Sequence, residues 1–239
     1  MSLPAHQNKP LPWGRGLRGL TGGCLRPGGL ELTRRLLGNT LAPGAQVLEL
    51  GCGPGRSLQY MRRELGLRAV GLDLSHSMLL EARSRSQAPA IRADAACLPV
   101  RRASVDAVLC ECMLSLVLRL EDALAEIARV LRPGGMLFCS DLYARGQAGE
   151  APPVLDRCCI DGILRREEWA ELLSRRGFIQ ESWKDHTPAL KHLAAELIFA
   201  HGSLEEFWRA LLPAGRACEA MARSKAARPG YFCLTARKG

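Results

Sequence analysis

The sequence predicts an α/β fold, a mostly parallel sheet with helices on both faces. Three observations carry this reading. Between residues 44 and 145, short β-type runs alternate with helical runs, as in successive strand–helix–strand units. The first such run ends in a glycine-rich turn, Gly51-Cys52-Gly53-Pro54-Gly55. Acidic residues stand at or near the ends of the successive apolar runs, the edge at which open parallel sheets bind ligands.

The elements follow in order. AQVLEL is a strand, and RSLQYMRREL after the glycine turn is a helix. RAVGLDL is a strand and HSMLLEARSR a helix. A short strand runs from Ile91 to Asp94, and VDAVLCE is a further strand. LEDALAEIARVL has amphipathic helical spacing and is ended by RPGG, after which MLFCSDLY is a strand. Upstream, LELTRRLLGNTL reads as a helix with Leu30, Leu36, Leu37 and Leu41 on one face. The chain thus divides into an N-terminal arm and capping helix (1–43), a core (44–145), and a C-terminal part of the same domain (146–239). Helical spacing over 188–228 predicts an insertion of ordinary core helices, with a pocket cover or dimer surface as the other use of those faces.

The composition narrows the function. At 239 residues the prior is one large domain. Apolar residues are 47% and charged residues 24%, as in a globular protein. No apolar run reaches the ~18 residues of a membrane helix, and the N-terminus has no apolar signal-type stretch. A cytoplasmic protein without membrane contact is expected. The net charge is +9, of which +5 lies in residues 1–46. That excess is an arm and not a clustered face, and the 12 aromatics do not interleave with the arginines, which points away from nucleic acid. The ten cysteines include no CxxC pair. They read as reduced thiols, most of them small core residues. No metal ligand set is read from them, apart from a thiol-carrier alternative using Cys110 and Cys112.

The strand-end acids point to a ligand. Glu49 lies in the first strand, and Asp73 closes the second, where a carboxylate can accept from both hydroxyls of a ribose. Asp94-Ala95 follows the third strand and Glu111 ends the fourth. One such acid would cap the next helix. Four in register with a glycine turn indicate a binding edge. The turn has no third glycine of the dinucleotide GxGxxG type, and Glu49 would disfavour a pyrophosphate, so a nicotinamide dehydrogenase is disfavoured.

On these residues the sequence resembles the class I S-adenosylmethionine-dependent methyltransferases. VLELGCGPG, GLDLS, ADAACLPV, VDAVLCE and VLRPGGMLFCSD are similar to the family's successive motifs. The resemblance implies a Rossmann-like seven-stranded sheet with an antiparallel last strand, YFCLTARK, paired with FIQESWKDH. It implies S-adenosylmethionine as cofactor. Gly51, Cys52 and Gly53 would stand at its methionine part, with Glu49 orienting the sulfonium end. Asp73 would hold the ribose, Leu74 would cover the adenine, and Asp94 and Ala95 would meet the adenine edge. Glu111 completes the cofactor set.

Outside those motifs the chain resembles the arsenite methyltransferases. TGGCLRPGG and CCIDGILRREEW place Cys24 and Cys159 at arsenic-binding positions of that family, and soft thiolates suit arsenic(III). A third cysteine of that family has no counterpart here, since neither Cys218 nor Cys233 aligns with it. His186, read in the late strand beside Asp185, is the candidate base. Arg26 is a candidate donor to an anionic substrate group. The expected partner is a small-molecule acceptor, possible oligomeric states being monomer or homodimer. The alternative function is cofactor binding without catalysis, as a sensor or partner subunit.

Overall fold

A computed structural model describes residues 23–24, 26–149 and 157–239. Its seven strands are β1 (Gln46–Leu50), β2 (Arg68–Asp73), β3 (Ala90–Arg92), β4 (Val105–Glu111), β5 (Leu131–Tyr143), β6 (Phe178–Asp185) and β7 (Gly230–Lys238). They form one sheet in the order β3-β2-β1-β4-β5-β7-β6. Strands β1 to β5 pair in parallel, and β7 runs antiparallel between β5 and β6. The α/β class and the antiparallel last strand are as the sequence led us to expect.

The helices are α1 (Gly29–Leu37), α2 (Arg56–Arg63), α3 (His76–Ser86), α4 (Leu120–Val130), α5 (Arg166–Arg175), α6 (Thr187–His201), α7 (Leu204–Leu211) and α8 (Ala214–Ala227). A parallel sheet must be covered on both faces, and the period-two alternation of β1 and β4 supplies both. Val47, Ala107 and Leu109 pack with Leu32, Leu36 and Leu37 of α1 and Leu58 and Met61 of α2. Leu48, Leu50, Val108 and Cys110 pack on the other face with Leu124 and Ile127 of α4 and Trp169 of α5. The same alternation puts Glu49 on the face of Val47 and Glu111 on the face of Leu109. Both acids therefore point under α1 and α2.

The details differ from the sequence reading in four places. Helix α1 stops at Leu37 with Gly38 in a positive-φ conformation, so Leu41 lies beyond it. Strand β3 has three residues and ends at Arg92, leaving Asp94 in the following turn. Leu131 already pairs with Val105, so RPGG sits inside β5 beside a register shift rather than in a separate loop. His186 is the N-cap residue of α6 and not a strand residue, because Pro188 in the first turn starts the helix there.

The insertion between β6 and β7 is three helices. Leu193 and Leu197 of α6, Phe207 and Trp208 of α7, and Ala217, Ala220 and Ala227 of α8 join the core, which agrees with core helices. Phe199 on α6 is 95% exposed. Among the described residues no helix is long and apolar enough to cross a membrane. Of the basic N-terminal arm, residues 1–22 and 25 lie outside the described residues.

Candidate cofactor site at the carboxyl edge of the sheet

The turn after β1 is built from Gly51, Gly53 and Gly55, at φ of 66°, 50° and 79°. Side chains are strained in that region. At Gly55 a Cβ would lie 2.7 Å from Ala82 Cα, so glycine lets α2 pack against α3. At Gly53 a Cβ would meet nothing within 4 Å, so the outer side of the turn faces open space.

Asp73 ties this turn to β2. Its Oδ2 accepts from the Gly53 N–H at 2.9 Å and its Oδ1 from the Ser75 N–H at 2.8 Å. Each carboxylate oxygen still has capacity for another donor. Burial raises the Asp73 pKa, and the Ser75, Gly53 and Leu74 N–H groups oppose the shift. Leu74, next along, is half-buried, and its carbonyl accepts from Arg92 Nε at 2.9 Å. Asp94 accepts from the Ala96 N–H at 2.9 Å and stands 3.5 Å from Arg119, with Ala95 buried beside it.

Glu49 is 2% exposed. The Ser57 hydroxyl donates to its Oε1, and its Oε2 has no partner. Burial pushes its pKa up to about 8, the Ser57 hydrogen bond opposing and Glu111 adding to the rise. The folded protein therefore holds a proton that the unfolded chain releases near pH 4.5. The sign of the linkage follows: stability falls as pH rises from there to about 8. Glu49→Gln removes this dependence. The variant should melt higher than the parent at pH 8.5, by roughly 2–4 °C for each kcal/mol recovered, and with a flatter melting profile between pH 5 and 8. Parallel profiles for the two proteins, read by calorimetry, would contradict the assignment.

Glu111 is held from above. Arg26 Nη2 lies 2.7 Å from its Oε2, and the Thr33 hydroxyl is 3.1 Å from both of its oxygens. Arg26 also donates to Thr33. Burial raises the Glu111 pKa against the Arg26 charge. Arg26 and α1 are thereby strapped to the end of β4, with α1 lying against β5 and β7. Behind Glu111 a polar chain continues. Ser140 donates to Glu111, the Tyr231 hydroxyl donates to Ser140 Oγ at 3.0 Å, and the Cys112 thiol donates to the Tyr231 oxygen at 3.2 Å. Cys112 has a φ of 51°, a conformation a non-glycine residue rarely adopts.

The carboxyl edge thus brings together Glu49, Gly51, Gly53, Asp73, Leu74, Asp94, Ala95 and Glu111. Cys52, Glu111 and Arg26 are engaged within the protein. Cys52 is 4% exposed and its sulfur packs toward Gly71; its N–H donates to Leu72 and its carbonyl accepts from Gly55. Its thiol serves the core, and its backbone serves the turn. Glu111 is engaged by Arg26 and Thr33. Arg26, correspondingly, is 7% exposed and paired, and is no free surface donor.

Arg26, Glu111, Arg56 and Glu49 act on Cys24, and Cys158, Asp141 and Asp161 act on Cys159; Cys112 lies within reach of both Cys159 and Arg26. Burial pushes both thiols up, away from the thiolate that binds soft ions. Cys110 is wholly buried on the opposite face of the sheet from Cys112. Among the described residues no group of three or more His, Cys, Asp or Glu is arranged to hold a metal. His186 donates its backbone N–H to the Tyr231 carbonyl at 2.7 Å. Burial and the nearby Arg35 lower its pKa.

Thr33, Ser57, Ser140, Tyr231 and Arg56 escaped the sequence reading. Thr33 carried a usable signal, a polar residue within the buried register Leu32, Leu36 and Leu37 of α1.

Residues 48–139 match the family described as a methyltransferase domain. This stretch is a class I methyltransferase domain. Curated relatives of the methyltransferase domain agree. The chain is 34% identical over 161 residues to the phthiotriol/phenolphthiotriol dimycocerosates methyltransferase of Mycobacterium leprae, covering 66% of this chain and 59% of that protein. It is 40% identical over 101 residues to the malonyl-[acyl-carrier protein] O-methyltransferase of Enterobacter lignolyticus, covering 42% and 40%. The chain therefore spans about half the length of these relatives. Among solved structures, the [4+2]-cyclase SpnF is 26% identical with a TM-score of 0.66, over 87% of this chain and 80% of that one. A Haemonchus contortus phosphoethanolamine N-methyltransferase is 20% identical with a TM-score of 0.72, over 95% and 57%, a likeness of fold.

Proposed function

We propose that the chain transfers a methyl group from S-adenosylmethionine to an organic small molecule. The observation that carries this reading is the carboxyl edge itself. An open glycine turn lies between a buried glutamate and an aspartate with spare acceptor capacity, at the strand ends where such sheets bind ligands. Gly51 and Gly53 would pass under the methionine part, Asp73 would accept from the ribose hydroxyls, and Leu74, Asp94 and Ala95 would border the adenine. Bound there, the cofactor supplies an electrophilic methyl on a sulfonium. The chain's task is to align the acceptor and exclude water. The strap formed by Arg26, Thr33 and Glu111 closes one side of that space. His186, whose pKa burial and the nearby Arg35 lower, is the proposed proton acceptor for an oxygen or carbon acid.

An organic acceptor is favoured over arsenite by the thiols. Burial raises the pKa of both Cys24 and Cys159, away from the thiolate that would bind a soft ion. The relatives named for malonyl-[acyl-carrier protein] and for dimycocerosate substrates support the same class of acceptor. Mass spectrometry of S-adenosylhomocysteine tests this. The protein would be given S-adenosylmethionine with a malonyl thioester, an alcohol lipid, a prenyl diphosphate, or arsenite with a thiol reductant. Product that depends on an organic acceptor is expected. Methylated arsenic formed in the arsenite arm alone would overturn the acceptor assignment. The likeness to a protein named as a [4+2]-cyclase, and not as a methyltransferase, favours a second reading, in which the chain transfers no methyl group. Its signature is saturable S-adenosylmethionine binding with no product from any acceptor.

A further inference from the structure

Helices α2 and α3 both end at the amino edge of the sheet, beside the first residue of β2. There Arg62, Arg63 and Arg68 line a surface cavity of about 270 Å³, together with Leu67, Ser86 and Gln87. The cavity is separate from the cofactor edge. A strand rises about 3.3 Å per residue, so Arg68 and Asp73, the two ends of β2, stand roughly 16 Å apart.

The charge of the cavity is uncompensated. Among the described residues the guanidinium groups of Arg62, Arg63 and Arg68 have no hydrogen bond and no acidic partner. The acids of the same helices are taken up, Glu64 by Arg34 at 3.1 Å and Glu81 by Arg85 at 2.8 Å. Arg83 is engaged with the Ala90 carbonyl. Basic residues in a last helical turn answer the helix dipole, but each helix end carries only about half a negative charge. Two helix ends therefore offset about one of the three guanidinium charges and leave about two.

The rest of the cavity suits the same kind of ligand. Gln87 caps α3 at a φ of 55°, where glycine is the usual residue. Its side-chain amide has no partner among the described residues and adds a donor. Leu67 and Ser86 are buried, and the Ser86 hydroxyl is engaged by the Ala82 carbonyl and the Ala88 N–H. Ligand sites run upward from about 300 Å³, so this cavity takes a compact group and not a whole cofactor. Forked guanidinium donors match the oxygens of a phosphate, and a concave basic surface concentrates anions. A phosphate monoester carries about −1.5 to −2 at pH 7, which is the charge left to be matched.

We propose that Arg62, Arg63 and Arg68 form a second binding site, for the phosphate group of a soluble phosphate monoester. Gln87 donates to the same group. The site lies behind the cofactor edge and does not depend on what occupies that edge.

Calorimetric titration with glycerol 3-phosphate at low ionic strength tests this. One saturable site per chain is expected. Arg62→Gln combined with Arg68→Gln should weaken it at least tenfold, and Arg68→Gln alone, at an exposed strand end, should show part of that loss. Arg101→Gln combined with Arg102→Gln removes the same charge from exposed residues before β4 and should leave the affinity within twofold. No saturable binding by the parent protein would overturn the proposal. So would equal weakening by the two paired variants, which would reduce the effect to net charge. A single-stranded oligonucleotide that binds the parent but not the Arg62, Arg68 variant, with no binding of glycerol 3-phosphate, would overturn it in favour of a nucleic-acid surface.

Discussion

Glu111→Ala is expected to destabilise the protein by about 3–5 kcal/mol, the usual consequence of leaving one member of a buried ion pair uncompensated. The Arg26 guanidinium is 7% exposed and its main counter-charge is Glu111 at 2.7 Å. Thr33 would lose its carboxylate partner in the same step. At roughly 2–4 °C per kcal/mol for a chain of this size, the melting temperature should fall by about 6–20 °C. The pair is not expected to be a net source of stability, since burying both charges carries its own desolvation penalty. Arg26→Met combined with Glu111→Leu should therefore recover much of the loss, because no charge is then left buried. Thermal melts of the parent, the single and the double variant check this. A double variant as unstable as Glu111→Ala would show that the strap needs the charges themselves.

Asp73→Ala is expected to weaken S-adenosylhomocysteine binding by about 1.5–3 kcal/mol, roughly ten- to 150-fold, through the loss of charge-assisted hydrogen bonds. Two effects combine. The ribose would lose its acceptor, and the Gly53 and Ser75 N–H groups would lose the carboxylate that fixes the turn. Asp73→Asn separates them, since its side-chain oxygen can still accept from one N–H while the charge is gone. An intermediate loss is expected for it. Unchanged affinity in Asp73→Ala would remove the ribose assignment.

The central sheet was legible in the sequence because its signal is local. Runs such as VDAVLCE and RAVGLDL are apolar on both faces, as β4 and β2 require, and the helices between them keep their own period. The carboxyl-edge acids were legible for the same reason, since a strand end fixes where its last side chain points. The strap was not. Arg26, Thr33 and Glu111 belong to separate elements, and only the packing of α1 across β4 brings them together. His186 was misplaced because WKDHT continues the β-type run, while Pro188 two residues on starts a helix. The cysteines carry a different ambiguity. Cys24, Cys52, Cys110, Cys139, Cys158 and Cys233 are all buried, behaving as small core residues, and neither their number nor their spacing distinguishes packing from ligation.

The most direct measurement is a calorimetric titration of the purified protein with S-adenosylhomocysteine. One saturable site per chain, lost or strongly weakened in Asp73→Ala, is the result predicted for a cofactor held at the carboxyl edge. No binding by the parent protein, or binding that Asp73→Ala leaves untouched, would contradict it.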